Sequence, residues 1–263
     1  MPQRNVHLCR SRSVRRMSPL AQRANELRLA VMMLTRLPVG RLQDPAPSLP
    51  DAQWAFPLVG LIVGAIAGAT HGISLHIGAG SGMAAVLSLG AIVLTTGALH
   101  QDGLADFADG MWGGHDKARR LEIMRDSQIG SYGVLALILC CALWIAALAQ
   151  LAGSIGVVGF LAVGVLSRLA MTGCLATMPA ARDDGLGAAA KGKPVWALYL
   201  LFGLGTLFAL GSNGLPVVAT VGIVTLIVGQ IARRRIGGQT GDVLGAVQFI
   251  SETAAWTILA LLV

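Results

Sequence analysis

The residues best suited to chemistry stand in one short run, His100-Gln101-Asp102-Gly103-Leu104-Ala105-Asp106-Phe107-Ala108-Asp109-Gly110, directly after an apolar stretch. Its acids are four and three residues apart, offsets that stack Asp102, Asp106 and Asp109 along one face of a helix. Three like charges so arranged repel one another unless a cation lies between them, and a start at a membrane boundary makes them costlier. Hard carboxylate oxygens suit Mg²⁺ or Mn²⁺ rather than zinc. The competing reading is an ordinary solvated acidic loop. Leu104, Ala105, Phe107 and Ala108 oppose it, because they make the run amphipathic.

Downstream, Lys117-Ala118-Arg119-Arg120-Leu121-Glu122-Ile123-Met124-Arg125-Asp126-Ser127 joins four cations to two acids after Gly113-Gly114. Carboxylates for a metal beside cations for the remaining phosphate charge are what a polyanionic substrate carrying Mg²⁺ needs, so Lys117, Arg119 and Arg125 are candidate phosphate ligands. The bland alternative is that these cations only mark a cytoplasmic loop. A third segment, Arg233-Arg234-Arg235-Ile236-Gly237-Gly238-Gln239-Thr240-Gly241-Asp242, adds glycines that let backbone N–H groups approach an anion. Gly238 and Thr240 are candidate phosphate contacts there, and Asp242 could complete a metal site. The same glycines could instead end a helix or pack a span. Arg168 and Glu252 are charges inside apolar spans. A buried arginine needs an anion, which is either substrate phosphate or Glu252.

The elements that must position these groups are membrane helices. The chain is 54% hydrophobic and only 13% charged, against about 25% charged in soluble globules, and its mean hydropathy is +0.68. Apolar runs at about 54–77, 83–100, 133–151, 155–178, 195–210, 214–231 and 244–263 predict an all-α, polytopic bundle of six to seven transmembrane helices. An interfacial helix precedes them: Ser18-Pro19 is a cap and first-turn signal, and Leu20, Ala24, Leu27, Val31 and Leu34 share one face before Pro38. Residues 1–24 are expected to form a basic extension without fixed structure, ahead of a single domain over 25–263.

Nine arginines precede the first span, and loops 101–132, 179–194 and 232–243 hold ten more basic residues, whereas 78–82, 152–154 and 211–213 hold none. The N-terminus is therefore expected in the cytoplasm and the C-terminus outside, with all carboxylate chemistry at the cytoplasmic face. A net charge of +7 gathered in these flanks argues for topology, not nucleic-acid binding. The four cysteines lack metal-ligand spacing.

Taken together, Asp102–Gly110, Leu121–Gly130 and Gly237–Ala246, with Leu34–Pro38 and Phe56–Gly60 in the same order, resemble the signature segments of the cobalamin synthase family over about residues 25–263. Two departures are Phe107, which stands where a small polar residue is expected, and the arginine-rich first 24 residues. The resemblance implies a Mg²⁺-dependent phosphotransferase in the bacterial inner (plasma) membrane, with its site facing the cytoplasm. It would join adenosylcobinamide-GDP to α-ribazole or its 5′-phosphate and release GMP. Asp102, Asp106, Asp109 and Asp242 would then be metal ligands, Asp126 or Asp242 a further ligand or the proton-accepting base, and Lys117, Arg119, Arg125 and Arg168 phosphate ligands. Assembly into a homo-oligomer is left open. Two rivals are weaker. A CDP-alcohol-type headgroup transferase needs an alanine where Asp106 stands, and a transporter does not call for an acidic triple on one segment.

Overall fold

The structure is a computed structural model that describes residues 17–151, 153–192 and 195–263. Residues 1–16 of the expected N-terminal extension lie outside these. The rest of that extension is more ordered than expected, because helix α1 (Pro19–Leu34) already begins at Pro19, with Ser18 accepting the Ala21 N–H at 3.3 Å.

The described residues form helices and no strands, in the order α1, α2 (Leu49–Ala52), α3 (Phe56–His76), α4 (Ser81–Thr96), α5 (Leu99–Gly113), α6 (Lys117–Ile123), α7 (Ser131–Gln150), α8 (Val157–Thr177), α9 (Leu186–Ala189), α10 (Trp196–Ala209), α11 (Gly214–Ile236) and α12 (Gly241–Leu261). Five of the long helices are apolar enough to cross a bilayer, and the α4–α5 pair qualifies as a sixth only across a 90° bend. The all-α membrane bundle expected from composition is therefore the fold.

Small residues set how the spans meet. Glycines at 60, 64 and 68 give α3 a face without side chains, and it lies antiparallel on α8, Gly60 against Gly164 and Gly64 against Phe160. Backbones approach this closely only where no Cβ intervenes, which replaces the hydrophobic driving force that lipid removes. In the bundle interior Arg168 of α8 meets Glu252 of α12 at 2.9 Å, with both side chains almost fully buried. Gln248 and Trp144 donate to the same carboxylate at 2.6 and 3.3 Å. Glu252 is thus the anion that Arg168 needs, and the pair joins α8 to α12 with α7 alongside.

Helix α10 has 14 residues, about 21 Å at the helical rise and short of a hydrocarbon core of about 30 Å. It nevertheless serves as a return leg. A parallel bridge pairs Ala180 with Gln239, and the Gln239 side chain donates to the Gly187 carbonyl at 2.9 Å. The chain after α8 and the chain after α11 therefore share one end of the bundle. Because α11, with 23 residues, runs the full thickness, the segment through α10 must cross as well.

The expected span 83–100 and loop 101–132 are divided differently. The α-helix stops at Thr96, Gly97 and Ala98 take left-handed φ of 64° and 59°, and the chain turns into α5. An alanine in that region is strained by about 1–2 kcal/mol, so packing around the corner must hold it. The Arg36 side chain lies against Gly97, and its backbone N–H donates to the Thr95 carbonyl at 2.7 Å.

Candidate active site

Turned out of the span, α5 lays its acidic face beside the start of α12. Two glycines make the approach possible: a Cβ at Gly103 would stand 3.0 Å from the Asp242 carbonyl oxygen, and one at Gly245 would stand 3.4 Å from the His100 backbone. Thr240 caps α12 by accepting the Val243 N–H at 3.3 Å, and its hydroxyl lies 3.2 Å from the Asp242 carboxylate. Carboxylates from distant parts of the chain thus face one another. Their mutual field is visible at Asp106, half-buried, whose carboxyl is pushed up to about 7 by burial first and then by Asp102, Asp242 and Asp109.

Asp109 has a different setting from its neighbours. It is buried, and its two carboxylate oxygens accept the backbone N–H groups of Gly130 at 2.7 Å and Gly133 at 2.9 Å, at the start of α7. A Cβ at either glycine would strike that carboxylate. Asp109 therefore anchors a helix N-terminus, whereas Asp102 is exposed and Asp106 half-exposed to the space in front of α12.

Cations approach from the other side. Arg182, which sequence reasoning did not place in the site, stands 3.6 Å from Asp242 and 3.8 Å from Asp184. Asp184 in turn takes Arg125 at 2.6 Å on both oxygens. Arg125 so reaches Asp242 through Asp184 and Arg182. The signal for Arg182 was a charged triple, Arg182-Asp183-Asp184, just beyond a span. Lys117 lies over Gly237, while Arg119 pairs with Glu122 at 2.8 Å on the exposed face of α6. Asp126 is exposed and accepts the Gln128 N–H at 3.1 Å, outside the carboxylates that act on Asp106.

The glycine segment does structural work. Gly237 ends α11 at φ 87°, Gly238 lies on the Pro179 carbonyl, and the Gln239 N–H donates to that carbonyl at 2.8 Å. Thr240 is buried as a helix cap. Arg168 is held by Glu252 in the interior.

Among the described residues no three His, Cys, Asp or Glu side chains converge tightly enough to enclose an ion by themselves. The donors are hard oxygens, and the field that raises Asp106 is what a divalent cation would offset.

The fold and site define a polytopic helical membrane protein whose carboxylates and arginines gather at one end of the bundle. Residues 26–260 match the family model described as cobalamin-5-phosphate synthase, and the chain belongs to that family. A Bradyrhizobium diazoefficiens protein named adenosylcobinamide-GDP ribazoletransferase is 42% identical, over 86% of this chain and 90% of its own. Proteins of the same name from Sinorhizobium medicae and Desulforamulus reducens are 40% and 37% identical, covering 88% and 90% of this chain and 94% and 96% of theirs. No solved structure matches the chain.

Proposed function

We propose that this protein is an adenosylcobinamide-GDP ribazoletransferase that works with Mg²⁺ at the cytoplasmic face of the bacterial inner membrane. The observation that carries the reading is the packing of α5 on the start of α12, which puts Asp102 and Asp242 on the wall of one cavity with Asp106 within reach of their charge, beside Arg182 and the Arg125–Asp184 pair. Orientation rests on the basic residues, which flank the site end of the bundle.

In the reaction, a ribose hydroxyl oxygen of ribazole attacks the phosphorus bonded to cobinamide. The bond from that phosphorus to the bridging oxygen breaks, and GMP leaves with the electron pair. Asp102 and Asp242 are the carboxylates that would hold Mg²⁺, which when bound neutralises pyrophosphate charge and favours departure of the nucleotide. Arg182 lies where it can pair with donor phosphate once Asp242 is engaged, and Arg125 positions it through Asp184. Asp106, whose carboxyl is raised by burial and by the charges of Asp102 and Asp242, accepts the hydroxyl proton.

The test is purified protein in detergent with adenosylcobinamide-GDP, α-ribazole and Mg²⁺, followed for GMP and a corrinoid product. Both should appear in equal amounts and stop on chelation with EDTA. Absence of GMP under every divalent cation would overturn the assignment.

A further inference from the structure

Helices α8 and α11 both pack on α12, and between them a groove of about 670 Å³ remains. Leu166, Leu169 and Ala170 line it from α8, and Val218, Val221 and Leu226 from α11. It opens sideways: Leu226 is 72% exposed, and a Cβ added at Gly173 or Gly222 would meet no atom within 4 Å. From Val218 to Arg233 the groove follows α11 for about 22 Å, more than half of a hydrocarbon core of about 30 Å. Its end nearest the carboxylate side of the bundle is polar. Gln230 and Arg233 line that end, three residues apart on one face of α11 and both exposed. Among the described residues neither Arg233 nor Arg234 forms an ion pair, whereas Arg119, Arg125, Arg168 and Arg182 each meet a carboxylate. Arg235 is also engaged, over the Trp112 ring and on the Met111 carbonyl. A last-turn arginine complements the helix dipole and marks a cytoplasmic flank, but neither effect calls for a groove that leads to it.

We propose that this groove holds one anionic glycerophospholipid of the leaflet on the carboxylate side, with an acyl chain between α8 and α11 and the phosphate on Arg233, Arg234 adding to the attraction. A groove open to the bilayer interior is filled by hydrocarbon, since an empty one would forfeit the dispersion contacts of its walls. The chain itself selects little, because lipid tails are as apolar as the walls. Selection therefore falls to the headgroup. A basic pocket at the end of membrane helices favours an anionic head, and each nearby arginine adds to that preference. Choline or ethanolamine would instead bring an ammonium against the same two arginines. Gln230, one turn deeper, is placed to donate to an ester carbonyl of the chain. Asp102, Asp106 and Asp242 do not line the groove, so the inference stands apart from the reaction proposed above.

Native mass spectrometry of the full chain in mild detergent, with phosphatidylglycerol and phosphatidylcholine added in equal amounts, tests the site. The wild type should retain one phosphatidylglycerol per chain, in preference to phosphatidylcholine by about tenfold or more. Each arginine accounts for about fivefold of that preference. Arg233→Gln should therefore cut it about fivefold, Arg233→Gln with Arg234→Gln should remove it, and Arg233→Lys should keep it. Gly222→Leu fills the groove from a position with open space and should abolish retention of either lipid. The melting midpoint of each variant without added lipid confirms that it folds, and should Gly222→Leu fail there, the exposed arginine series carries the test alone. Equal retention of the two lipids by the wild type, or a preference that survives loss of both arginines, would overturn the site. So would a dimer that holds no lipid and that Gly222→Leu disperses, since the groove would then seat a second copy of the chain.

Discussion

Replacing Asp109 by alanine separates an anchoring carboxylate from a metal-binding one. In the structure both its oxygens are occupied, by the N–H groups of Gly130 and Gly133 at 2.7 and 2.9 Å, in a side chain 7% exposed. Alanine would leave two donors at the start of α7 without their carboxylate, one of them in a buried hydrogen bond. A lost N-terminal cap costs about 0.5–2 kcal/mol, and a buried donor left unsatisfied costs about 1–3 kcal/mol. The combined loss is therefore about 2–4 kcal/mol. In a chain of this size that lowers the melting midpoint by roughly 5–15 °C. Asp109→Asn keeps one acceptor oxygen and should lose about half as much. Thermal unfolding in detergent, followed by intrinsic fluorescence with and without Mg²⁺, measures this, and Asp106→Ala serves as the comparison that should not lower the midpoint. If Asp109→Ala melts like the wild type yet loses Mg²⁺ affinity, the anchoring account is wrong and Asp109 belongs with the ligands.

Three further outcomes follow from the same geometry. Asp106 is protonated below about 7 and charged above it, and a nearby divalent cation favours the charged form. Mg²⁺ affinity should therefore rise with pH through that window, with binding releasing a proton at its lower end. Calorimetry in buffers of different ionisation enthalpy reads that proton, and a flat affinity would uncouple Asp106 from the ion. Glu252→Ala should destabilise by about 3–5 kcal/mol by stranding the Arg168 charge in the interior, with much of it recovered by adding Arg168→Met. An unaltered midpoint in the single variant would mean that the pair does not support the bundle. A reporter fused after Val263 should lie on the face opposite one placed between Gly113 and Lys117, since α10 completes an odd number of crossings. The same face for both would remove α10 from the spans.

What could be read in the chain followed the strength of the physical signal. Apolar runs of about 20 residues have few alternatives to membrane helices, so the bundle and its charged end were legible. The spacing of Asp102, Asp106 and Asp109 placed them on one helix face, and α5 is that helix. The corner at Gly97-Ala98 was not legible, because an alanine at φ 59° is imposed by the packing around it and leaves no local mark. The division of labour among the three aspartates was hidden for a related reason. Spacing puts acids on a face, but only the position of the α7 N-terminus decides that Asp109 meets two backbone donors. Gly103 and Gly245 carry no chemistry, yet their contact brings Asp242 to α5.

That junction between α5 and α12 is the centre of the account, and one double-variant cycle tests it. Asp106→Ala and Asp242→Ala each should slow GMP release at saturating Mg²⁺ by about 10²-fold or more. Groups that act as one site are strongly non-additive, because the first loss leaves little for the second to remove. The double variant, confirmed as folded, should be about as slow as the worse single one. Losses that multiply instead would mean that Asp106 and Asp242 act independently, and would contradict a single site built across the two helices.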